Sequence, residues 1–252
     1  MDYRTEFIIR IAIAIAFAVI MGNGSVVAFN RMPAKWFEDY DENAPRGEEP
    51  HRVMPEKLLE ADAMGRQRLP STPWKYAFVG FFMMSGLYLA IRGGGIAYEI
   101  SVLCVLFIVL EMAVSDCLYQ VVPDQFSWGL IAIAISFNGY FDKWWEQAAG
   151  ALTGLGLSFA ILILGNILFK TGSIGGADIK FFGCMGLITG SAGVIIIFVL
   201  TTVLFAVYSM IKIAAGQGSI KDRNAMLPAG LAAVTIYLLF LWNIGDLLVL
   251  KL

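Results

Sequence analysis

Long apolar segments recur along the chain and limit it to one broad class of fold. A helix needs about 20 apolar residues to cross the hydrocarbon core of a bilayer. The sequence therefore predicts an all-α, polytopic membrane protein with about eight transmembrane helices. The predicted segments are Ile11–Phe29, Tyr76–Ile91, Ile96–Val114, Phe126–Phe141, Ala148–Phe169, Phe181–Gly190, Ala192–Ile211 and Met226–Val249.

The amino-acid composition favours a protein embedded in a lipid bilayer and argues against several other classes of protein. Hydrophobic residues make up 58% of the chain and charged residues 15%, whereas about 25% of a soluble domain is charged. No basic patch with interleaved aromatics is present, so we expect no nucleic-acid partner. A single histidine and three cysteines without a C-x-x-C pair argue against a Ser/His triad, a multi-histidine metal site and a disulfide framework. These residues are His51, Cys104, Cys117 and Cys184.

Two of the segments leave alternatives open. The first, Ile11–Phe29, follows Arg4 and Arg10 and resembles a signal peptide, but its apolar run is long and no cleavage site is evident. We expect it to be a retained helix. The sixth, Phe181–Gly190, is short. If it is a half-helix, the count falls to seven and the C-terminus changes side.

The distribution of Lys and Arg predicts the orientation. In the eight-helix arrangement the basic loops 30–75, 170–180 and 212–225 lie on one side, which the positive-inside rule assigns to the cytoplasm. The N-terminus is then outside. We divide the chain into a first transmembrane helix (1–29), a polar cytoplasmic loop (30–75) with one short helix near Pro55–Arg66, and a membrane-embedded core (76–252).

Two acidic residues lie at predicted membrane edges on the cytoplasmic side. Asp116 closes the third segment and Asp178 opens the sixth. A carboxylate at the edge of the hydrocarbon is costly unless it has a partner or a function. Two facing carboxylates would share one proton and could activate a water against a peptide bond. The alternative for Asp178 is a simple helix cap, which contributes about 1 kcal/mol.

The sequences around both aspartates resemble one enzyme family. "DCLYQVVPD", from Asp116 to Asp124, is similar to the D-x6-P-D element of the type IV prepilin peptidases. "GGADIK" resembles their Gly-x-Gly-Asp-x-Lys element, with Ala177 in place of the second glycine. "GNGSVVAFNRMP" and "MLPAGLAA" are weaker matches, to the first helix and to a Pro-x-Gly-Pro element before the last helix.

The resemblance implies a bacterial membrane aspartic endopeptidase. Such enzymes remove the leader peptide from prepilins or pseudopilins at the cytoplasmic face of the inner membrane, for pilus or secretion-system assembly. Asp116 and Asp178 would be the catalytic pair. Supporting roles would fall to Gly175, Gly176, Lys180, Pro123 and Asp124.

The resemblance also bears on cofactors. Cleavage in this family needs no metal and no cofactor. Many members carry a tetracysteine zinc site in the first cytoplasmic loop, but no cysteine lies between residues 30 and 75 here, so we expect no metal there. Many members also methylate the new N-terminus with S-adenosylmethionine, and the sequence leaves that activity open.

Three secondary candidates have simpler interpretations. Asp124, after Pro123, is expected to cap the fourth helix rather than to act in catalysis. Lys180 either favours a nearby ionised carboxylate or is a lysine that extends to the interface. Glu111 lies on the third segment and points about 140° away from Asp116 on a helix, so we expect it to be structural.

Two other classes of function compete with a peptidase. Buried acids also occur in small ion-coupled transporters, but the sequence shows no inverted repeat and no matched pair of broken helices. A non-enzymatic scaffold of a secretion system would leave the paired aspartates without a purpose. Cleavage of a co-expressed prepilin distinguishes a peptidase from a transporter and from a scaffold.

Overall fold

The computed structural model describes residues 3–40, 52–169, 175–216 and 224–242. Helices account for most of these residues, and two very short strands lie in the polar loop. The helices are α1 (Tyr3–Arg31), α2 (Glu56–Ala63), α3 (Ser71–Arg92), α4 (Ile96–Tyr119), α5 (Asp124–Ala134), α6 (Trp145–Phe169), α7 (Gly176–Ala214) and α8 (Leu227–Ile236). The strands are β1 (Asp39–Tyr40) and β2 (Arg52–Val53).

The all-α class is confirmed, whereas the count of eight crossings stays a prediction. Within the described ranges, five helices are long and apolar enough to cross a membrane, namely α1, α3, α4, α6 and α7. The shorter α5 continues as a 3-10 helix over Ile135–Tyr140, and α8 continues as a π-helical turn over Tyr237–Leu241. The rest of the predicted last segment, 243–249, lies outside the described residues.

The chain forms two compact units. Met1–Leu103 and Leu118–Gln125 make unit 1, and Cys104–Cys117 and Phe126–Leu252 make unit 2. Each unit is described by itself. The division at residues 29 and 75 that the sequence suggested stays a prediction.

In unit 1, α1 and α3 pack closely through small residues. An added Cβ on Gly86 would lie 2.8 Å from Cβ of Ala14, so only glycine allows this approach. A buried ion pair ties the same helices to the start of α4, because Arg10 Nε donates to Glu99 Oε2 at 3.0 Å and Arg10 Nη2 donates to the carbonyl of Leu89 at 2.6 Å. Pairing and hydrogen bonding offset part of the cost of burying both charges, although the other carboxylate oxygen, Glu99 Oε1, is buried without a hydrogen-bond partner among the described residues.

The polar loop contains the predicted short helix, α2, together with a pair of strands that the sequence did not indicate. β1 and β2 pair antiparallel, with Asp39 opposite Val53 and Tyr40 opposite Arg52. Strands of two residues are too short to give the alternating pattern by which a strand is recognised.

Arg68 connects several parts of this loop. Its guanidinium donates two hydrogen bonds to the carboxylate of Asp62, at 2.9 and 2.7 Å, and a third to the carbonyl of Met32. It also lies over the ring of Phe37, 5.7 Å from the centroid. The hydrogen bonds from Arg68 lower the pKa of the Asp62 carboxyl below its usual value, although partial burial opposes the shift.

In unit 2, α7 is a helical hairpin rather than one straight helix. Gly190 has φ 70° and ψ −178°, which interrupts the helix. The rings of Phe182 and Phe198 lie 4.9 Å apart, whereas a straight helix would separate these residues by about 24 Å. The chain therefore reverses at Gly190, and the predicted segments 181–190 and 192–211 are its two antiparallel arms. The two ends of α7 then lie on the same side of unit 2, as the eight-crossing arrangement requires.

The hairpin packs on α6 through glycines. An added Cβ on Gly150 would collide with the carbonyl oxygen of Gly186, and one on Gly186 would collide with that of Gly150. Small residues at such contacts let helix backbones approach closely in membranes. This contact explains the glycines in the sequence of α6.

Candidate functional site

Asp116 lies in the last turn of α4 and is half-buried. Its Oδ2 accepts a hydrogen bond of 2.9 Å from the backbone N–H of Leu227, the first residue of α8. The N–H of Met226 interacts with the same carboxylate. The first N–H groups of a helix have no partner within it. Asp116 therefore supplies the acceptor that the start of α8 lacks.

Asp178 lies in the first turn of α7. Its Oδ2 accepts the N–H of Gly175 at 3.3 Å, and its own N–H donates to the carbonyl of Gly175 at 3.1 Å. Gly175 is the N-cap residue and has no side chain, so only the bond from its N–H to the carboxylate is a side-chain cap. Asp178 therefore caps α7 from the third helical position. A capping contact and a chemical role are compatible, because the cap orients the carboxylate at the helix end.

Two further contacts show how α8 lies relative to the first arm of α7. Phe181, one turn after Asp178, lies against Gly230, where an added Cβ would be 3.1 Å from the ring. Near the turn of the hairpin, an added Cβ on Gly193 would be 2.6 Å from the hydroxyl of Tyr237. α8 therefore runs parallel to the first arm of α7. It follows that Asp178 and the N-terminus of α8, which Asp116 caps, lie at the same end of unit 2.

The glycines next to Asp178 leave space rather than a close helix contact. An added Cβ on Gly176 would meet nothing within 4 Å, and one on Gly175 would make only ordinary contact with Asp178 Oδ2 at 3.5 Å. Glycines beside a carboxylate allow either another helix or a substrate backbone to come close. No described helix occupies this space.

The other candidates lie where their sequence positions suggested. Lys180 is exposed in the first turn of α7. Asp124 is the exposed first residue of α5, and Pro123 before it is buried. Glu111 is buried within α4, with 1% of its surface exposed. Their roles stay predictions.

The described residues contain no cluster of metal-ligating side chains. In residues 3–40, 52–169, 175–216 and 224–242, no group of three or more His, Cys, Asp or Glu side chains could hold a metal ion. His51 and the acids of 41–50 lie outside these ranges.

Sequence reasoning missed the residues that surround Asp116. The backbone of Leu227 bonds it, and near the same helix start Lys212 Nζ donates to Asn224 Oδ1 at 2.6 Å. The "MLPAGLAA" element was the available signal, because its Pro228 occupies the first turn of α8. Nothing in the local sequence links that element to α4.

The fold is that of a helical membrane protein. Its two carboxylates, Asp116 and Asp178, each cap the start of one of two parallel helices. Residues 100–210 match the model of the type IV leader peptidase family. This match confirms the resemblance to that family that the two aspartate elements indicated. The family indicates a peptidase. No curated protein and no solved structure gives a significant match.

Proposed function

We propose that the protein is a membrane aspartic endopeptidase that removes the leader peptide of type IV prepilins or pseudopilins. The observation that carries the proposal is the presence of Asp116 and Asp178 in one family-matched region, where Asp116, at the end of α4, caps the start of α8 and Asp178 lies in the first turn of the parallel α7 arm.

In the proposed reaction the two carboxylates share one proton. The ionised carboxylate takes a proton from a water molecule, whose oxygen attacks the scissile carbonyl carbon. The protonated carboxyl donates a hydrogen bond to the carbonyl oxygen as negative charge develops there. Collapse of the intermediate breaks the C–N bond, and the leaving amine takes the proton that the first carboxylate removed from the water, so the pair again holds one proton. The products are the leader peptide and a pilin with a new N-terminus.

The space beside Gly176 suits the approach of a substrate backbone, because a Cβ added there would meet no atom of the described residues within 4 Å. Lys180, exposed in the same turn, would favour the ionised form of a nearby carboxylate. Gly175 fixes the orientation of Asp178 through its N–H. Pro123 and Asp124 would act only by starting α5.

The location is part of the proposal. Lys and Arg concentrate in loops 30–75, 170–180 and 212–225, and the positive-inside rule assigns such loops to the cytoplasm. Both aspartates would then act at the cytoplasmic face of the inner membrane, with the N-terminus outside. Cleavage would need no cofactor, and S-adenosylmethionine would serve only a separate methylation of the product.

The test is cleavage of a prepilin that is co-expressed with the protein. We expect a shortened pilin whose N-terminus, read by sequencing, follows the basic leader. Mass spectrometry of the same product shows whether it is methylated. An intact prepilin in the presence of membrane-inserted protein, together with ion flux through reconstituted vesicles, would favour the transporter hypothesis instead.

A further inference from the structure

The start of α8 is held from two directions within unit 2. On one side the N–H of Leu227 donates to Asp116 Oδ2 at 2.9 Å. On the other, Lys212 Nζ donates to Asn224 Oδ1 at 2.6 Å. Asn224 lies just before Met226, which caps α8, and Lys212 lies in the last turn of α7. The hydrogen bond thus closes the connection between the two helices.

The bond between Lys212 and Asn224 is well suited to fix this connection. Both residues are half-buried, so water competes less for the bond than at a fully exposed site. The donor is a charged ammonium group, and charge-assisted hydrogen bonds are roughly twice as strong as neutral ones. Lysine also favours the C-terminal end of a helix, where its charge complements the helix dipole.

We propose that Lys212 and Asn224 are positioning residues that hold the first turn of α8 against Asp116. This inference rests on the proposed function, since Asp116 is there a reacting carboxylate. The carboxylate keeps its orientation only while the N–H of Leu227 stays in place. That N–H is carried by the segment that Asn224 anchors. Neither Lys212 nor Asn224 needs to touch the substrate.

A simpler role for Lys212 makes a different prediction. A lysine that only marks the cytoplasmic side would tolerate loss of its charge once the protein is inserted. A positioning lysine would not, because displacement of a catalytic group lowers the rate of the chemical step. The effect should fall on kcat, since substrate binding does not use the bond.

The experiment measures kcat and KM for prepilin cleavage by full-length protein in membranes, normalised to folded protein. Lys212→Met and Asn224→Leu each remove the bond. Lys212→Arg and Asn224→Asp keep a charge-assisted pair. Lys57→Met, at an exposed lysine of α2, makes the same chemical change away from the site.

We expect Lys212→Met and Asn224→Leu each to lower kcat by about tenfold, as loss of roughly 1.4 kcal/mol of transition-state stabilisation would. KM should change little. The double variant should match either single variant, because both lose the same bond. The two conservative variants should recover most of kcat, and Lys57→Met should resemble the wild type.

Three results would overturn the inference: wild-type kcat in folded Lys212→Met and Asn224→Leu, a double variant in which the two losses multiply, or an effect confined to KM. If one variant folds poorly, the other tests the same bond from the opposite side. Failure of the proposed function looks different. There, the wild type itself does not cleave, or Asp116→Asn remains active, whatever the Lys212 variants do.

Discussion

Asp116 and Asp178 each accept hydrogen bonds from backbone N–H groups at a helix start. A helix N-terminus favours negative charge by about 0.3–1 kcal/mol at exposed sites, so both carboxylates have a structural role beside any chemical one. An asparagine side chain keeps one carbonyl oxygen that can accept the same N–H groups. Substitution by asparagine therefore keeps the cap and removes the acid, which separates the two roles.

Asp124 provides the first prediction at this scale. It is the first residue of α5 and is exposed, so we expect Asp124→Asn to retain substantial prepilin cleavage at normal protein levels. Quantitative immunoblotting of processed and unprocessed pilin measures this. Complete loss of cleavage would show that Asp124, and not Asp116, is the reacting carboxylate of the "DCLYQVVPD" element.

Arg68 provides the second prediction at the scale of single residues. Arg68→Ala removes hydrogen bonds to Asp62 and to the carbonyl of Met32, and we expect a loss of about 1–2 kcal/mol in the stability of the loop. Arg66→Ala, at an exposed arginine of the same segment, is the control. Thermal unfolding of the detergent-solubilised variants measures the difference.

The Arg68 effect should depend on pH. Because Arg68 lowers the pKa of Asp62 in the folded protein, their ion pair stabilises the fold above the unfolded pKa of the carboxyl. This contribution is lost as the pH falls through the lowered, folded pKa. The difference in stability between the wild type and Arg68→Ala should therefore shrink at acidic pH, to the part that the hydrogen bond to Met32 and the contact with Phe37 contribute. A difference that stays constant down to that pH would contradict the assignment.

At the scale of elements, the hairpin of α7 and its contact with α6 organise unit 2. The reversal needs Gly190, whose φ of 70° is unfavourable for other residues. The close approach needs Gly150 and Gly186, whose backbones leave no room for a Cβ. The hydropathy of the sequence predicted both arms, because each is a run of apolar residues. Hydropathy carries no information on the direction in which the two arms run.

Glycine substitution in α6 tests this contact. We expect Gly150→Ala to force the helices apart and to destabilise the protein by about 1–3 kcal/mol, as overpacking typically does. Gly156→Ala, in the same helix, adds the same methyl group where nothing lies within 4 Å, and it should be nearly neutral. Equal unfolding temperatures for the two variants would contradict the packing described here.

At the scale of the whole molecule, the absence of cysteines from loop 30–75 bears on how the loop is held. Relatives with a tetracysteine site would use zinc there, whereas in this chain Arg68 connects α2, Met32 and Phe37. We expect the purified protein to contain no stoichiometric zinc and a chelator to leave its unfolding temperature unchanged. Zinc near one equivalent by mass spectrometry of the metal would contradict this expectation.

The sequence predicted the helical class, the long apolar helices and the two aspartate elements, because each is a local pattern of hydropathy or motif. It did not predict the short length of α5, whose apolar run continues as the 3-10 helix Ile135–Tyr140. Nor did it predict the bonds from Leu227 to Asp116 or from Arg10 to Glu99. Such bonds join residues far apart in the chain, and only the packing of the helices brings them together.

The most direct test of the central claim is prepilin cleavage by Asp116→Asn, Asp178→Asn and the double variant, each at wild-type abundance in the membrane. Because the two carboxylates are proposed to act on one water with one shared proton, each single substitution should abolish cleavage. The double variant should be no worse than either, since residues that act as a unit are not additive. Cleavage retained by either single variant would contradict the proposed pair.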